Sequence, residues 1–411
     1  MGRIREERKR SRKRKMMTRL GIGTGITLAL GIILSACTIA GSKPADTQVG
    51  GTIPETQAYS TEVVVEEPET LQIVMIGDML MHDRIIESGL KEDGSYNFDH
   101  LFVNVKDFIT EADIAIVNQE AILGGPDFAY TGYPCFNSPF ELGDALVNAG
   151  FNVVLHATNH TMDKGGKAVT NCMDFWDTNY PDVAYLGINR SQEDQNENIY
   201  VYEDNGIKVA ILNYTYGTNG IPLPSDMPYL VNLMDEDKIR ADIQKAEEIA
   251  YFTIVCPHWG TEYNLGTDYS QEKWVDIFLE EGVDLVLGAH PHVIEPIEWV
   301  TDEEGNKMLV YYSLGNYVNG TSSTGHGVTN RMVGGIADVT IERNEETNEV
   351  EIIEYGAVPI VCHIGEGTDY TVYYMEDYTE ELAAENLILS QDPEFSVTLC
   401  ESIFAQVWGT E

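Results

Sequence analysis

The stretch Asp284-Leu285-Val286-Leu287-Gly288-Ala289-His290-Pro291-His292-Val293 decides how the chain is read. An apolar run of strand length ends in two imidazoles. Gly288 and Pro291 supply the turn that must follow. A strand end that holds two neutral nitrogens on a stiff turn suits a metal ion, provided other segments bring oxygen ligands to the same edge. A His-x-His pair alone is more often a packed or solvated turn than a ligand pair, so the other strands have to make the case.

Working outward, several apolar runs end in the same way. Leu71 to Asp78, Ile114 to Glu120, and Phe151 to His156 followed by Asn159-His160 each deliver polar groups at a carboxyl end, as does Tyr251 to Cys256 followed by Pro257-His258-Trp259-Gly260. Helical spacing separates them over His100 to Ala112, Ser138-Pro139 to Gly150, Gly165 to Tyr180, Asp235 to Ala250 and Ser270 to Gly282. Asn205-Gly206 predicts a hairpin turn. Apolar strands alternating with helices indicate an α/β fold with a largely parallel or mixed sheet covered on both faces, and ligands bind at the carboxyl edge of such sheets. Beyond His292 the pattern turns antiparallel. Glu295 to Thr301 and Met308 to Tyr312 flank Glu304-Gly305-Asn306, and Val333 to Glu342 pairs with Glu349 to Val358, which reads as a second sheet packed on the first. Residues 359–411 form an extension to which the sequence assigns no role.

The N-terminus sets the compartment. Residues 1–36 carry a basic cluster and an apolar run from Leu20 to Leu34, ending Leu34-Ser35-Ala36-Cys37, which reads as a signal peptide. Residues 37–70 read as a flexible tether, rich in Gly, Ser, Pro, Thr and acidic residues, to a domain over 71–358. Residues 1–36 hold 10 of the 25 basic and 2 of the 67 acidic residues, so the remainder has 15 against 65, a formal charge of −50. Such a surface repels nucleic acid. Cys135, Cys172, Cys256, Cys362 and Cys400 are scattered without a C-x-x-C spacing, which excludes a zinc knuckle or a dense disulfide scaffold.

Two resemblances follow. Leu34-Ser35-Ala36-Cys37 resembles the lipobox of bacterial lipoproteins, which implies lipidation of Cys37 and attachment to the extracytoplasmic face of the cell membrane; an uncleaved N-terminal signal anchor is the alternative. In order, Gly77-Asp78, Asn118-Gln119-Glu120, Asn159-His160 with Asp163-Lys164-Gly165, His258-Trp259-Gly260-x-Glu262-Tyr263, Gly288-Ala289-His290-Pro291-His292 and Ser313-Leu314-Gly315-Asn316-Tyr317 resemble the CapA family of poly-γ-glutamate capsule synthesis proteins. That family is similar to the calcineurin-like metallophosphoesterases. The resemblance implies a four-layer αββα sandwich with Asp78, Glu120, Asn159, His258, His290 and His292 as ligands of one or two divalent metal ions. It also implies that His160 protonates a leaving oxygen or stabilises the transition state, with Asp78 beside it in the catalytic set. Mixed oxygen and nitrogen ligands suit Mn, Fe or Zn better than Ca.

The departures are specific. The superfamily opens on Asp-x-His, whereas Asp78-Met79-Leu80-Met81 leads to His82. Glu120 stands where aspartate is usual. The sequence gives His82, His100, His156, His326 and His363 no site partner, reads Trp259 and Tyr263 as packing aromatics, and reads Ser313 to Asn316 as a tight turn. The leading expectation is a membrane-tethered protein of capsule or poly-γ-glutamate biosynthesis that hydrolyses a phosphoester or related bond. Its alternative is a non-catalytic subunit of a polymer synthase complex that holds an anionic polymer or acts as a scaffold.

Overall fold

A computed structural model describes residues 69–409 apart from 304, 345, 346 and 348. The expected signal peptide, Cys37, nearly all of the tether and Glu304 of the expected turn lie outside the described residues. The chain lays down β1 (Thr70–Met79), β2 (Ile114–Asn118), β3 (Val153–Leu155) and β4 (Ala184–Leu186) as parallel neighbours in one sheet. It then crosses to a second sheet and builds β5 (Tyr200–Asp204), β6 (Ile207–Thr215), β7 (Phe252–His258), β8 (Leu285–Leu287), β9 (Ile297–Thr301) and β10 (Lys307–Tyr311), in the order β5-β6-β7-β8-β10-β9. It returns to the first sheet with β11 (Asn316–Val318), β12 (Val333–Arg343), β13 (Val350–His363) and β14 (Thr371–Tyr374). β12 pairs antiparallel with β1, and β11 pairs parallel with its end, setting Asn316 opposite Asp78.

The alternation of side chains along each strand separates three apolar layers. Leu71, Ile73 and Met75 of β1 meet Val209, Ile254, Leu285 and Leu309 between the sheets. Val74 and Ile76 point the other way, into a core shared with α1 (Phe140–Ala149) and α2 (Gly165–Asn179). The outer face of the second sheet is covered by α3 (Glu236–Ile249) and α4 (Tyr269–Glu281) through Ile243 and Phe278. The result is the four-layer αββα sandwich. Local chemistry fixes the helix ends: Asp235 caps α3, Asp268 and Gln271 form a capping box on α4, and Gly150 and Gly282 take left-handed conformations after α1 and α4.

Three expectations need correction. The antiparallel strands beyond His292 do not make a sheet of their own: β9 and β10 join the second sheet through β8, whereas β12 to β14 join the first through β1. A period of two identifies a strand but does not say which sheet it enters. The helix expected over His100 to Ala112 is a 3-10 turn (Asp99–Phe102) and a short helix (Lys106–Thr110), and between them the Asn104 side chain donates to the Val372 carbonyl. The boundary after Val358 falls inside β13, and β14 extends that sheet further. A final helix, α5 (Val397–Trp408), buries Ile403 and Phe404 in the outer core. Residues 359–409 thus complete the domain, with Trp408 Nε1 donating to the Glu295 carbonyl.

Candidate metal centre

The carboxyl ends of β1, β2 and β3 from one sheet and of β7 and β8 from the other converge. Gly77 permits the first of these ends, since a Cβ there would lie 1.9 Å from the Gly315 carbonyl oxygen that accepts the Asp78 N–H. Gly288 acts in the same way and not through a special φ: its Cβ would meet the Tyr312 carbonyl oxygen at 2.1 Å. The bend itself is carried by His290 and His292, both with positive φ (102° and 58°), a conformation non-glycine residues adopt at a cost of about 1–3 kcal/mol.

Glu120 is the centre of the cluster. Its side chain is fully buried and neither carboxylate oxygen has a hydrogen-bond partner. Oε1 lies 3.7 Å from His258 Nε2 and 3.6 Å from His292 Nε2. Ligand atoms of Glu120, His290 and His292 fall within 4.8 Å of one another, and His290 Nδ1 is likewise buried without a partner. His258 Nε2 is 3.0 Å from Asn159 Oδ1. Burial pushes the Glu120 carboxyl well above the usual carboxylate range. Burial, followed by the neighbouring imidazoles, pushes His258 and His290 well down towards the neutral form, whereas, against burial, Glu120 and then Asp78 raise His292 to about 9. An unpartnered buried carboxyl group gathered with imidazoles and an amide oxygen is costly by itself and supplies the donor types of a transition-metal cation. The residues fit the implied metal.

Asp78 enters the cluster from behind. Its oxygens accept the Asn118 amide (2.7 Å), the His290 N–H (3.3 Å to each oxygen) and His292 Nδ1 (3.1 Å). All the residues expected as ligands are therefore brought together, with Asp78 engaged by protein donors and Glu120 unengaged. His160 stands at the rim, with Nδ1 2.7 Å from Asp163 Oδ2 and its ring 4.6 Å from Phe136.

Several neighbours were not expected as site residues. Asn219 on the loop after β6 reaches His160 Nδ1 (3.3 Å) and accepts from Asn159. Tyr216 covers the His290 ring at 4.7 Å. Asn316, read as part of a tight turn, accepts from His292 Nδ1 at 3.1 Å and donates to the His292 carbonyl. His82 lies beside Phe136, and its pKa is lowered to about 4, first by burial and then by His292. Tyr263 is 45% exposed, its ring 6.0 Å from that of His292. Trp259 is buried packing, as its composition suggests, with Nε1 donating to the Tyr312 carbonyl. The remaining histidines have structural partners: His156 accepts from Trp176 Nε1, His100 meets Ser88, His363 meets Tyr378, and exposed His326 meets Glu394.

Two stacked mixed sheets between helical layers, with imidazoles and a carboxylate gathered at their strand ends, are the fold class of the calcineurin-like metallophosphoesterases. Within that class the chain belongs to the bacterial capsule synthesis protein family PGA_cap, whose model matches residues 72–321. The PGA biosynthesis protein CapA of Bacillus subtilis is 26% identical over 281 residues, covering 64% of this chain and 66% of that protein. The capsule biosynthesis protein CapA of Bacillus anthracis is 27% identical over 281 residues, covering 65% of each. The chain thus spans just under two thirds of the length of these relatives. Among solved structures, a phosphatase from Mycoplasma pneumoniae is similar over 72% of this chain and 95% of its own, at 17% identity and a TM-score of 0.44. The NAD nucleotidase of Haemophilus influenzae is similar over 83% and 67%, at 14% identity and a TM-score of 0.45.

Proposed function

We propose that this chain is a membrane-tethered, extracytoplasmic protein of capsule or poly-γ-glutamate biosynthesis that hydrolyses a phosphoester or related bond with one or two divalent metal ions. The pathway rests on the family and on its CapA relatives of PGA and capsule biosynthesis. The tether rests on the signal-like residues 1–36 and Cys37. The chemistry rests on one observation: a fully buried Glu120 with both oxygens unpartnered, faced by His258 and His292.

Glu120, His258, His290, His292 and the Asn159 amide oxygen would hold the cation, and Asp78 orients His292 through Nδ1. Bound there, a divalent ion supplies charge for a phosphoryl group and acidifies water. In the hydrolysis a water oxygen bonds to phosphorus as the ester P–O bond breaks, and His160 delivers a proton to the departing oxygen. Asp163, accepting the Nδ1–H, orients the ring and favours its imidazolium form, so that Nε2–H is the proton delivered and the ring is left neutral, while the attacking water releases its own proton to solvent. A panel of phosphomonoesters and phosphodiesters offered to the Mn-loaded chain tests this. Turnover should fall about 10²- to 10⁴-fold in His160→Gln with metal content unchanged. Absence of turnover on every ester, with metal bound, contradicts the enzymatic reading.

One observation favours a second reading, a non-catalytic partner that holds an anionic polymer in the same cleft or serves a synthase complex. The Asp78 oxygens are already engaged by Asn118, His290 and His292, which leaves a second cation short of a carboxylate. Retention of poly-γ-glutamate without turnover supports it.

A further inference from the structure

Arg331 stands out against the charge of the molecule. The partly buried Arg240 and Arg343, and the exposed Arg190, each meet one or more carboxylates. Arg331, also partly buried, meets none among the described residues, although acidic residues far outnumber basic ones. It is nevertheless held in place. Its guanidinium carbon lies 3.6 Å from the centre of the Tyr263 ring, and Nη1 donates to Thr321 Oγ1 and Ser323 Oγ, both at 3.0 Å. Nε is buried without a partner. Tyr263 itself is fixed by a left-handed backbone (φ 65°) and by its N–H, which donates to the Pro291 carbonyl between the two histidines of the cluster.

The position is equally specific. The other side of the arrangement is the metal cluster: the Tyr263 ring is 6.0 Å from that of His292, and Asn316 donates to the carbonyls of both His292 and Arg331. A planar fork with unpaired N–H groups, stacked on an aromatic face and pinned by two hydroxyls, is pre-organised for an oxyanion. It lies one aromatic ring away from the cation-binding hollow.

We infer that Arg331, on its Tyr263 platform, binds a second anionic group of the ligand, so that the ligand carries at least two oxyanions on neighbouring units: one at the centre and one on the guanidinium. The second group is a phosphoryl or a carboxylate. This inference rests on the reading of the cluster as a metal centre. It also explains how a chain of this acidity accepts a polyanion, since Arg331 and the cation together reverse the local sign of the field.

Calorimetric titration of the Mn-loaded full-length chain tests it with three probes: inorganic phosphate, pyrophosphate and tri-γ-glutamate. Arg331→Gln should leave phosphate affinity nearly unchanged and weaken pyrophosphate, tri-γ-glutamate or both by about 10- to 100-fold, with the same Mn content and thermal midpoint. Loss confined to pyrophosphate assigns the second group to phosphoryl, and loss confined to tri-γ-glutamate assigns it to carboxylate. Arg331→Lys, which keeps the charge and loses the fork, should fall between parent and Gln. Equal binding of both larger probes by parent and Arg331→Gln, or no binding of either by the parent, overturns the inference. A parent that retains no Mn overturns the metal centre instead, and the tri-γ-glutamate comparison still decides the arginine.

Discussion

Glu120 is the residue on which the chemistry turns. A carboxylate fully removed from water without a donor is destabilising unless it is neutralised or meets a cation; burial holds the neighbouring His258 and His290 neutral, whereas, against burial, Glu120 and Asp78 raise His292 to about 9. Asp78 serves the same centre through His292 Nδ1, the usual way in which an outer carboxylate orients a ligating histidine. Asp78→Asn is therefore expected to weaken Mn binding about 10- to 100-fold while the chain remains folded, read by titration with a metal-competing chelator. An unchanged affinity contradicts that role. The sequence made the histidines, Asn159, Asp78 and Glu120 visible because each closes an apolar run. It hid Asn219 and Arg331 for the opposite reason: they arrive on a loop and a short 3-10 turn where no periodicity marks them, and only the contacts with His160 and Tyr263 reveal them; Asn316 was visible in a motif, but its bond to His292 was not.

Apart from the helix expected over His100 to Ala112, the strands and helices come through with small shifts at their ends, because alternation and caps are local properties. The expected helix over Asp235 to Ala250 is α3 with Asp235 as its cap, and the Asn205-Gly206 turn joins β5 to β6. What alternation does not contain is the partner of a strand, so the division of β9 to β14 between two sheets was invisible, as was the contribution of residues 359–409. The cluster requires the two sheets to be held in register at their carboxyl ends, and Asn213 of β6 provides one tie. Its Oδ1 accepts the Ala157 N–H after β3 at 2.8 Å, and its Nδ2 donates to the Cys256 carbonyl of β7 at 2.9 Å. Asn213→Ala leaves both buried backbone groups unpaired, and we expect it to cost about 2–5 kcal/mol in denaturant unfolding. A loss under about 0.5 kcal/mol contradicts the tie.

At the scale of the whole molecule, acidity and burial set the response to pH. Glu295 is fully buried on the connection between β8 and β9, where burial pushes its carboxyl up to about 8 despite the hydrogen bond donated by Gln271. A carboxyl raised in the folded state favours folding fully below its ordinary unfolded value, and that contribution is lost as pH rises from there through about 8. Glu295→Gln should remove a slope of up to about 1.4 kcal/mol per pH unit over that window and stabilise the domain at pH 8, as read by urea unfolding at several pH values. A variant whose stability runs parallel to that of the parent contradicts the assignment. The account as a whole depends on a cation at Glu120, and elemental analysis of the purified full-length chain tests it most directly. The prediction is one or two equivalents of Mn, Fe or Zn per chain, lost in Glu120→Ala and His290→Ala. A chain that holds no transition metal after purification, and takes up none when Mn or Zn is supplied, contradicts it.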